Sequence, residues 1–151
     1  ITLMAASKTF NVAGLGTSFA IIPDRKIRMD FIRAGAGIVP WPNILGLVAV
    51  EAAYNECKDW RERQIAYLRA NRDFLVEAIN GIEGLSAVSP QATFLLWIDA
   101  SGLNVANNQA WCEQRGVGPS PGRDFGNDKF FRLNYGSSSS YLEQIVKRLQ
   151  G

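Results

Sequence analysis

A long amphipathic segment begins near Asp59 and continues to about Asn80, where Gly81 and Gly84 end it. A helix of this length is stable mainly when one face is buried, so the segment predicts a core helix that Asp59 caps. We expect an apolar stripe that faces the core: Trp60, Ile65, Leu68, Phe74 and Leu75. We expect charged residues on the solvent side: Arg61, Glu62, Arg63, Arg69 and Arg72.

The residues before this helix predict two short strands and two further helices. Residues 1–6 and 18–22 are compact apolar runs, which are typical of strands. Asp24 is a good cap for a helix to about residue 32, and helical spacing resumes at Asn43 and continues to about residue 55. Residues 35–42 contain two glycines and two prolines and predict a loop. The first run begins without a capping signal, so we expect it to belong to a larger sheet and the chain to be a fragment.

The residues after the long helix predict a small sheet with two helices. Three apolar runs indicate strands, at residues 85–89, 93–100 and 130–135. Residues 107–115 and 141–149 have helical spacing, and the four serines 137–140 provide a cap for the last helix. Residues 116–126 are rich in glycine and proline and predict a loop.

Composition excludes several classes of function. The 16 basic and 14 acidic residues are spread along the chain, so no basic surface for nucleic acid is expected. His is absent, which excludes Ser-His-Asp and Cys-His catalysis within the chain, and no metal site is predicted. Cys57 and Cys112 are expected to be reduced, structural thiols. No segment is long enough to span a membrane and no secretory signal is evident, so we expect a cytoplasmic protein.

Lys8 is the residue whose position suggests chemistry. It lies after an apolar strand and before a turn of small residues, in the sequence SKTFNVAGL. Such a position can bury an amine, and burial favours the neutral amine, which attacks an aldehyde to form a Schiff base. Most lysines are solvated surface charges, so the position alone leaves both interpretations open.

The letters around Lys8 resemble the lysine signature of fold-type I pyridoxal-phosphate enzymes. TLMAASKTFNVAGL is similar in particular to the MalY/PatB-type branch of carbon-sulfur lyases and aminotransferases. Further landmarks of that branch follow in order: SFAIIP, AAYNECKDWRERQIAYLRANRDFLVEAI, TFLLWID, PGRDFG and FFRLN. The resemblance covers almost the whole chain, and the ordered set is far more specific than any one motif.

The resemblance implies a role for three residues. Lys8 matches the lysine that joins the cofactor, pyridoxal 5'-phosphate, and then acts as general acid and base at the substrate α carbon. Ser7 is expected either to donate its hydroxyl to the cofactor phosphate or only to cap the turn. Arg132 matches the arginine that binds the α-carboxylate of an amino-acid substrate, the alternative being an ordinary salt bridge on a strand. Arg123 is expected to be structural.

The resemblance also implies an α/β fold, the C-terminal part of the pyridoxal-phosphate-dependent transferase fold. Residues 1–42 would end the large cofactor-binding domain, and residues 43–151 would form linking helices and the α+β small domain. The family's phosphate loop, its aspartate at the pyridine nitrogen and its ring-stacking aromatic all lie upstream, so we expect the fragment alone to be inactive. The full-length protein is expected to be a homodimer acting on a small amino acid.

Three functions stay open at this point. Ala5 and Gly16 stand where many aminotransferases have a phosphate-binding serine and arginine, which favours a carbon-sulfur β-lyase similar to cystathionine β-lyase. The alternative is a class I/II aminotransferase, which would use the same residues. A second alternative is a noncatalytic domain that binds no cofactor.

Overall fold

The computed structural model describes all 151 residues. They form two compact units, Ile1–Arg63 and Gln64–Gly151, and the division falls within the third helix. The helices are α1 Arg25–Gly35, α2 Ile44–Glu56, α3 Lys58–Asn80, α4 Asn108–Gln114 and α5 Ser139–Gln150. The strands are β1 Thr2–Met4, β2 Phe19–Ile21, β3 Ser86–Ala87, β4 Leu95–Asp99, β5 Ser120–Pro121 and β6 Phe130–Asn134. The boundary that the sequence predicts after residue 42 stays a prediction.

The first unit contains a two-stranded antiparallel sheet and two capped helices. β1 and β2 pair with Leu3 opposite Ala20. Asp24 caps α1, as predicted, because its carboxylate accepts a hydrogen bond of 2.8 Å from the amide of Ile27. Asn43 caps α2 in the same way, through a bond of 2.8 Å from the amide of Gly46. Few side chains of this unit are buried, and its apolar surface is largely exposed.

The face of α3 that is buried differs from the predicted stripe. In the second unit Asn71, Leu75 and Ile79 are buried at helical spacing, whereas Phe74 and Ile65 are each 39% exposed. The prediction is confirmed for Leu75 and for Leu68, which packs against the core, and it was wrong for Ile65 and Phe74. It selected residues by apolar character and so passed over a polar residue on the buried face. Asn71 can be buried because its side-chain amide is hydrogen-bonded. Its Nδ2 donates to the carbonyl oxygens of Tyr135 at 3.1 Å and Ser137 at 2.9 Å.

The second unit is built on a four-stranded antiparallel sheet in the order β3-β4-β6-β5. One face of the sheet forms the core with α3, α4 and α5, and its inward residues alternate along the strands. They are Leu96 and Ile98 on β4, with Phe131 and Leu133 on β6. The strand predicted at residues 130–135 is confirmed, whereas β5 lies where only a loop was predicted.

The last helix, α5, is amphipathic as predicted. Its buried residues are Leu142, Ile145, Val146 and Leu149. Ser138 is its cap, accepting from the amide of Tyr141, which confirms the capping role expected of the serine run. No helix in this chain combines the length and the apolar character that crossing a membrane would need.

Candidate functional site

The residues predicted to carry chemistry lie in both units, and each is described within its own unit. Ser7 and Lys8 belong to the first unit, and Arg132 belongs to the second. No group of three or more His, Cys, Asp or Glu side chains is arranged to hold a metal ion.

Lys8 lies in a tight turn that follows β1. The amide of Phe10 donates to the carbonyl of Ala6 at 2.9 Å, and the amide of Val12 donates to the carbonyl of Ser7 at 3.0 Å. These bonds close the turn, and the Lys8 side chain is exposed. The Phe10 ring anchors the turn against Tyr54 and Trp60, with ring centroids 5.5 and 6.3 Å away.

The position of Lys8 in the sequence left a buried amine and a solvated charge both open, and in this chain its side chain is exposed. The first unit buries only Ala6, Ile22 and Ala53 among its apolar residues, so it has no core in which an amine could be enclosed. None of the ion pairs of the chain involves Lys8. Within this chain the Lys8 amine therefore has neither an apolar enclosure nor a charged partner.

The segment after Lys8 is fixed to the start of α2. The side-chain Nδ2 of Asn43 donates to the carbonyl of Leu15 at 2.9 Å, and the hydroxyl of Thr17 donates to the same oxygen at 3.1 Å. Gly46 allows this approach, because a methyl group on its Cα would overlap the Thr17 hydroxyl. Asn43 thus caps α2 and also binds the segment that follows the Lys8 turn.

Arg132 lies in the middle of β6, on the face of the sheet opposite the core. Its neighbours Phe131 and Leu133 are buried, and the alternation of a strand directs Arg132 to the other side. The guanidinium Nη2 donates to the Ser120 hydroxyl at 3.3 Å, and the guanidinium carbon lies 4.2 Å from the centre of the Phe125 ring. No carboxylate of this chain pairs with Arg132.

A cavity of about 170 Å³ opens beside Arg132. It is lined by residues 117–120 with Arg132, Leu133, Asn134, Tyr141 and Ile145. A guanidinium without an acidic partner can bind a carboxylate through two parallel hydrogen bonds.

The sequence did not identify the partners of Arg132. Ser120 and Phe125 stand in or next to PGRDFG, a motif that the sequence singled out only as a landmark, and their contacts with β6 depend on strand pairing. Arg123 in the same motif is exposed and lies 3.9 Å from the carboxylate of its neighbour Asp124. A search for aromatic and hydroxyl residues near the arginine motif could have suggested the two partners.

Comparison with known proteins gives consistent matches over the whole chain. The family model described as aminotransferase class I and II matches residues 1–149. The cystathionine beta-lyase PatB of Bacillus subtilis is 35% identical over 99% of this chain, and the match covers 41% of PatB.

Two solved structures superpose closely on this one. The crystal structure of OvoB has a TM-score of 0.94 at 49% identity, over 97% of this chain and 39% of that chain. Cystalysin from Treponema denticola, whose structure contains a pyridoxal 5'-phosphate cofactor, has a TM-score of 0.89 at 29% identity, over 98% of this chain and 39% of its own. The chain therefore spans about two fifths of the length of the proteins that it matches.

Proposed function

This chain belongs to the aminotransferase class I and II family, and on that basis we propose that it is part of a pyridoxal 5'-phosphate enzyme that cleaves carbon–sulfur bonds in amino acids. Its α/β fold, expected from the sequence, is confirmed by the superposition on OvoB and cystalysin. The match to a cystathionine beta-lyase supports the lyase branch. Because the chain spans two fifths of such proteins, the roles below are assigned within a full-length enzyme.

Lys8 is the residue to which we assign the cofactor. When bound, pyridoxal 5'-phosphate supplies an aldehyde that reacts with a primary amine and a ring that withdraws electrons from the substrate α carbon. Lys8 supplies the primary amine that this group needs, and no ion pair of the chain occupies it. Lys8 would hold it through Nζ and later accept the proton of the substrate α carbon at the same atom. Arginine could replace neither function.

Ser7 is assigned to the cofactor phosphate. In the turn it contributes its carbonyl oxygen, which accepts from Val12, and its side chain is half-buried. The hydroxyl is not needed to close the turn, so it can donate to a phosphate oxygen.

Arg132 is assigned to the substrate α-carboxylate, and its geometry is the single structural observation that carries the proposal. Its side chain is half-buried and has a hydroxyl and an aromatic ring as partners, but no carboxylate. A structural arginine in a partly buried position usually has an acidic partner, because a charge away from water costs free energy when it is unpaired. Arg132 therefore fits a ligand carboxylate better than an internal salt bridge.

A product analysis of the full-length protein with cystathionine tests the proposal. A β-lyase removes the α proton and releases the sulfur from the β carbon, so thiol, pyruvate and ammonia should form without any added 2-oxo acid. An aminotransferase, the alternative that the name of the family model includes, would leave the carbon–sulfur bond intact. It would turn cystathionine into the corresponding 2-oxo acid only when a second 2-oxo acid is added to accept the amino group, and it would release neither thiol nor ammonia. Failure to incorporate the cofactor at all would instead support a noncatalytic domain.

Substitution of Arg132 tests the substrate-binding role separately. Loss of a bidentate charge-assisted contact should cost about 2 to 4 kcal/mol, so Arg132→Ala should lower kcat/KM roughly thirty- to a thousand-fold. Cofactor content should be unchanged. Arg69→Ala, which removes an exposed arginine of α3, is the matched control and should have no effect. An Arg132→Ala enzyme with normal kcat/KM for amino acids would contradict the assignment.

We further propose that the full-length enzyme is a cytoplasmic homodimer. Cys57 and Cys112 are both free, in keeping with a reducing compartment. The first unit exposes large apolar side chains, among them Ile38 at 81% and Trp41 at 94%, which favours association. Sedimentation of the full-length protein at several concentrations tests this, and a monomer throughout would contradict it.

A further inference from the structure

Arg132 is the central member of a row of three side chains that crosses the sheet. Strand pairing places Trp97 of β4 opposite Arg132 of β6, and Ser120 of β5 opposite Arg132 on its other side. Residues paired in this way project from the same face of a sheet and lie within contact distance. The row lies on the face opposite the core.

Phe125 completes the row from a neighbouring turn. Its ring lies 4.2 Å from the guanidinium carbon of Arg132 and meets the Trp97 ring edge to face, with centroids 5.8 Å apart. Trp97 in turn stacks on Phe130 at 5.3 Å. The Phe125 ring therefore packs against the sheet through Trp97, although Phe125 is 49% exposed.

The turn that carries Phe125 is itself tightly constrained. The amide of Asn127 donates to the carbonyl of Gly122 at 3.0 Å, which closes the turn around the phenylalanine. Gly122 is buried, and a methyl group on its Cα would overlap the carbonyl oxygens of Asn127 and Phe130. The turn consequently packs directly against the start of β6, only two residues from Arg132.

These contacts restrict the guanidinium in two ways. The aromatic ring covers one face of the planar group, and an arginine held against a ring is attracted to its π electrons. The Ser120 hydroxyl accepts a hydrogen bond from Nη2, which fixes rotation of the group in its plane. A free arginine side chain has many rotamers, and one that is already ordered loses less entropy when it binds a carboxylate.

We propose that Phe125 and Ser120 are positioning residues that hold the Arg132 guanidinium ready for the substrate carboxylate. The inference rests on the role proposed for Arg132. Neither residue needs to touch substrate. Their contribution should therefore appear in substrate binding, and only through Arg132.

Steady-state kinetics of the full-length holoenzyme test the inference, with cystathionine as substrate. Phe125→Leu keeps an apolar side chain of similar bulk but removes the ring, and it should raise KM about three- to tenfold with little change in kcat. Phe125→Tyr keeps the ring and should restore KM. Ser120→Ala should raise KM by a smaller factor, because the hydrogen bond is single and long. Val88→Ala, at a side chain that is 86% exposed, is the control.

A double substitution distinguishes positioning from a general effect on folding. If Phe125 acts through Arg132, Phe125→Leu should have no further effect on KM in an Arg132→Ala enzyme. Additive effects, or equal losses for Phe125→Leu and Phe125→Tyr, would overturn the inference while leaving the role of Arg132 intact. An Arg132→Ala enzyme with unchanged KM and kcat would overturn the proposed function first, and the inference with it.

Discussion

Replacing Asn71 by alanine should destabilise the second unit, and the size of the effect can be worked from its hydrogen bonds. Asn71 is 4% exposed, and its amide bonds the carbonyl oxygens of Tyr135 and Ser137. The Ser137 oxygen would keep a second donor, the Tyr67 hydroxyl at 3.3 Å. The Tyr135 oxygen would lose its side-chain donor. An unpaired buried polar group costs about 1 to 3 kcal/mol, and we expect a loss of that size.

Urea unfolding followed by circular dichroism measures this change in the free energy of unfolding. Asn55→Ala, at an exposed asparagine on α2, is the matched control and should change stability by less than about 0.5 kcal/mol. An Asn71→Ala chain that is as stable as this control would refute the reasoning, because it would show that water or a backbone shift satisfies the Tyr135 carbonyl.

Two further predictions concern ionisable groups: the thiols of Cys57 and Cys112, and the carboxylate of Asp99. Burial raises the pKa of the Cys112 thiol to about 12, so alkylation near pH 8 should label Cys57 in the native chain and both cysteines only in urea. Hydrogen bonds from Ser101 hold the pKa of Asp99 below its ordinary value. The stability that Asp99 contributes is therefore complete above about pH 4 and is lost as the pH falls through the lowered pKa. The difference in urea stability between the unmodified chain and Asp99→Asn should vanish in acid, and a constant difference would contradict this.

Local signals predicted much of the fold. Asp24 and Ser138 cap the helices that the sequence assigned to them, because capping depends on a side chain and a backbone amide three residues away. Asp59 was predicted to cap α3 but lies inside its first turn, because the helix begins at Lys58. The strand alternation around Arg132 was also readable, since Phe131 and Leu133 mark the core face.

Features that depend on long-range pairing were not predictable in this way. β5 is a two-residue strand within a segment rich in glycine and proline, and only its pairing with β6 reveals it. The buried Asn71 was missed because its partners lie more than sixty residues away. The exposure of Lys8 was left open because an apolar run predicts a strand but does not show whether other residues enclose the turn after it.

The site was predictable to a similar extent. Lys8, Ser7 and Arg132 were identified by resemblance, and their roles stay predictions. The structure adds the contacts of Arg132 with Phe125 and Ser120, which connect two strands and a turn. No sequence spacing encodes such an arrangement, because it depends on how the strands align.

The most direct test of the account is to locate the cofactor bond in the full-length protein. The holoenzyme is reduced with borohydride, which makes the bond between a lysine and pyridoxal 5'-phosphate permanent, and the digested protein is analysed by mass spectrometry. We expect the phosphopyridoxyl group on the peptide that contains Lys8, and a Lys8→Ala protein should carry none. Modification of another lysine such as Lys58, or a Lys8→Ala protein that is labelled as fully as the unmodified one, would contradict the central claim.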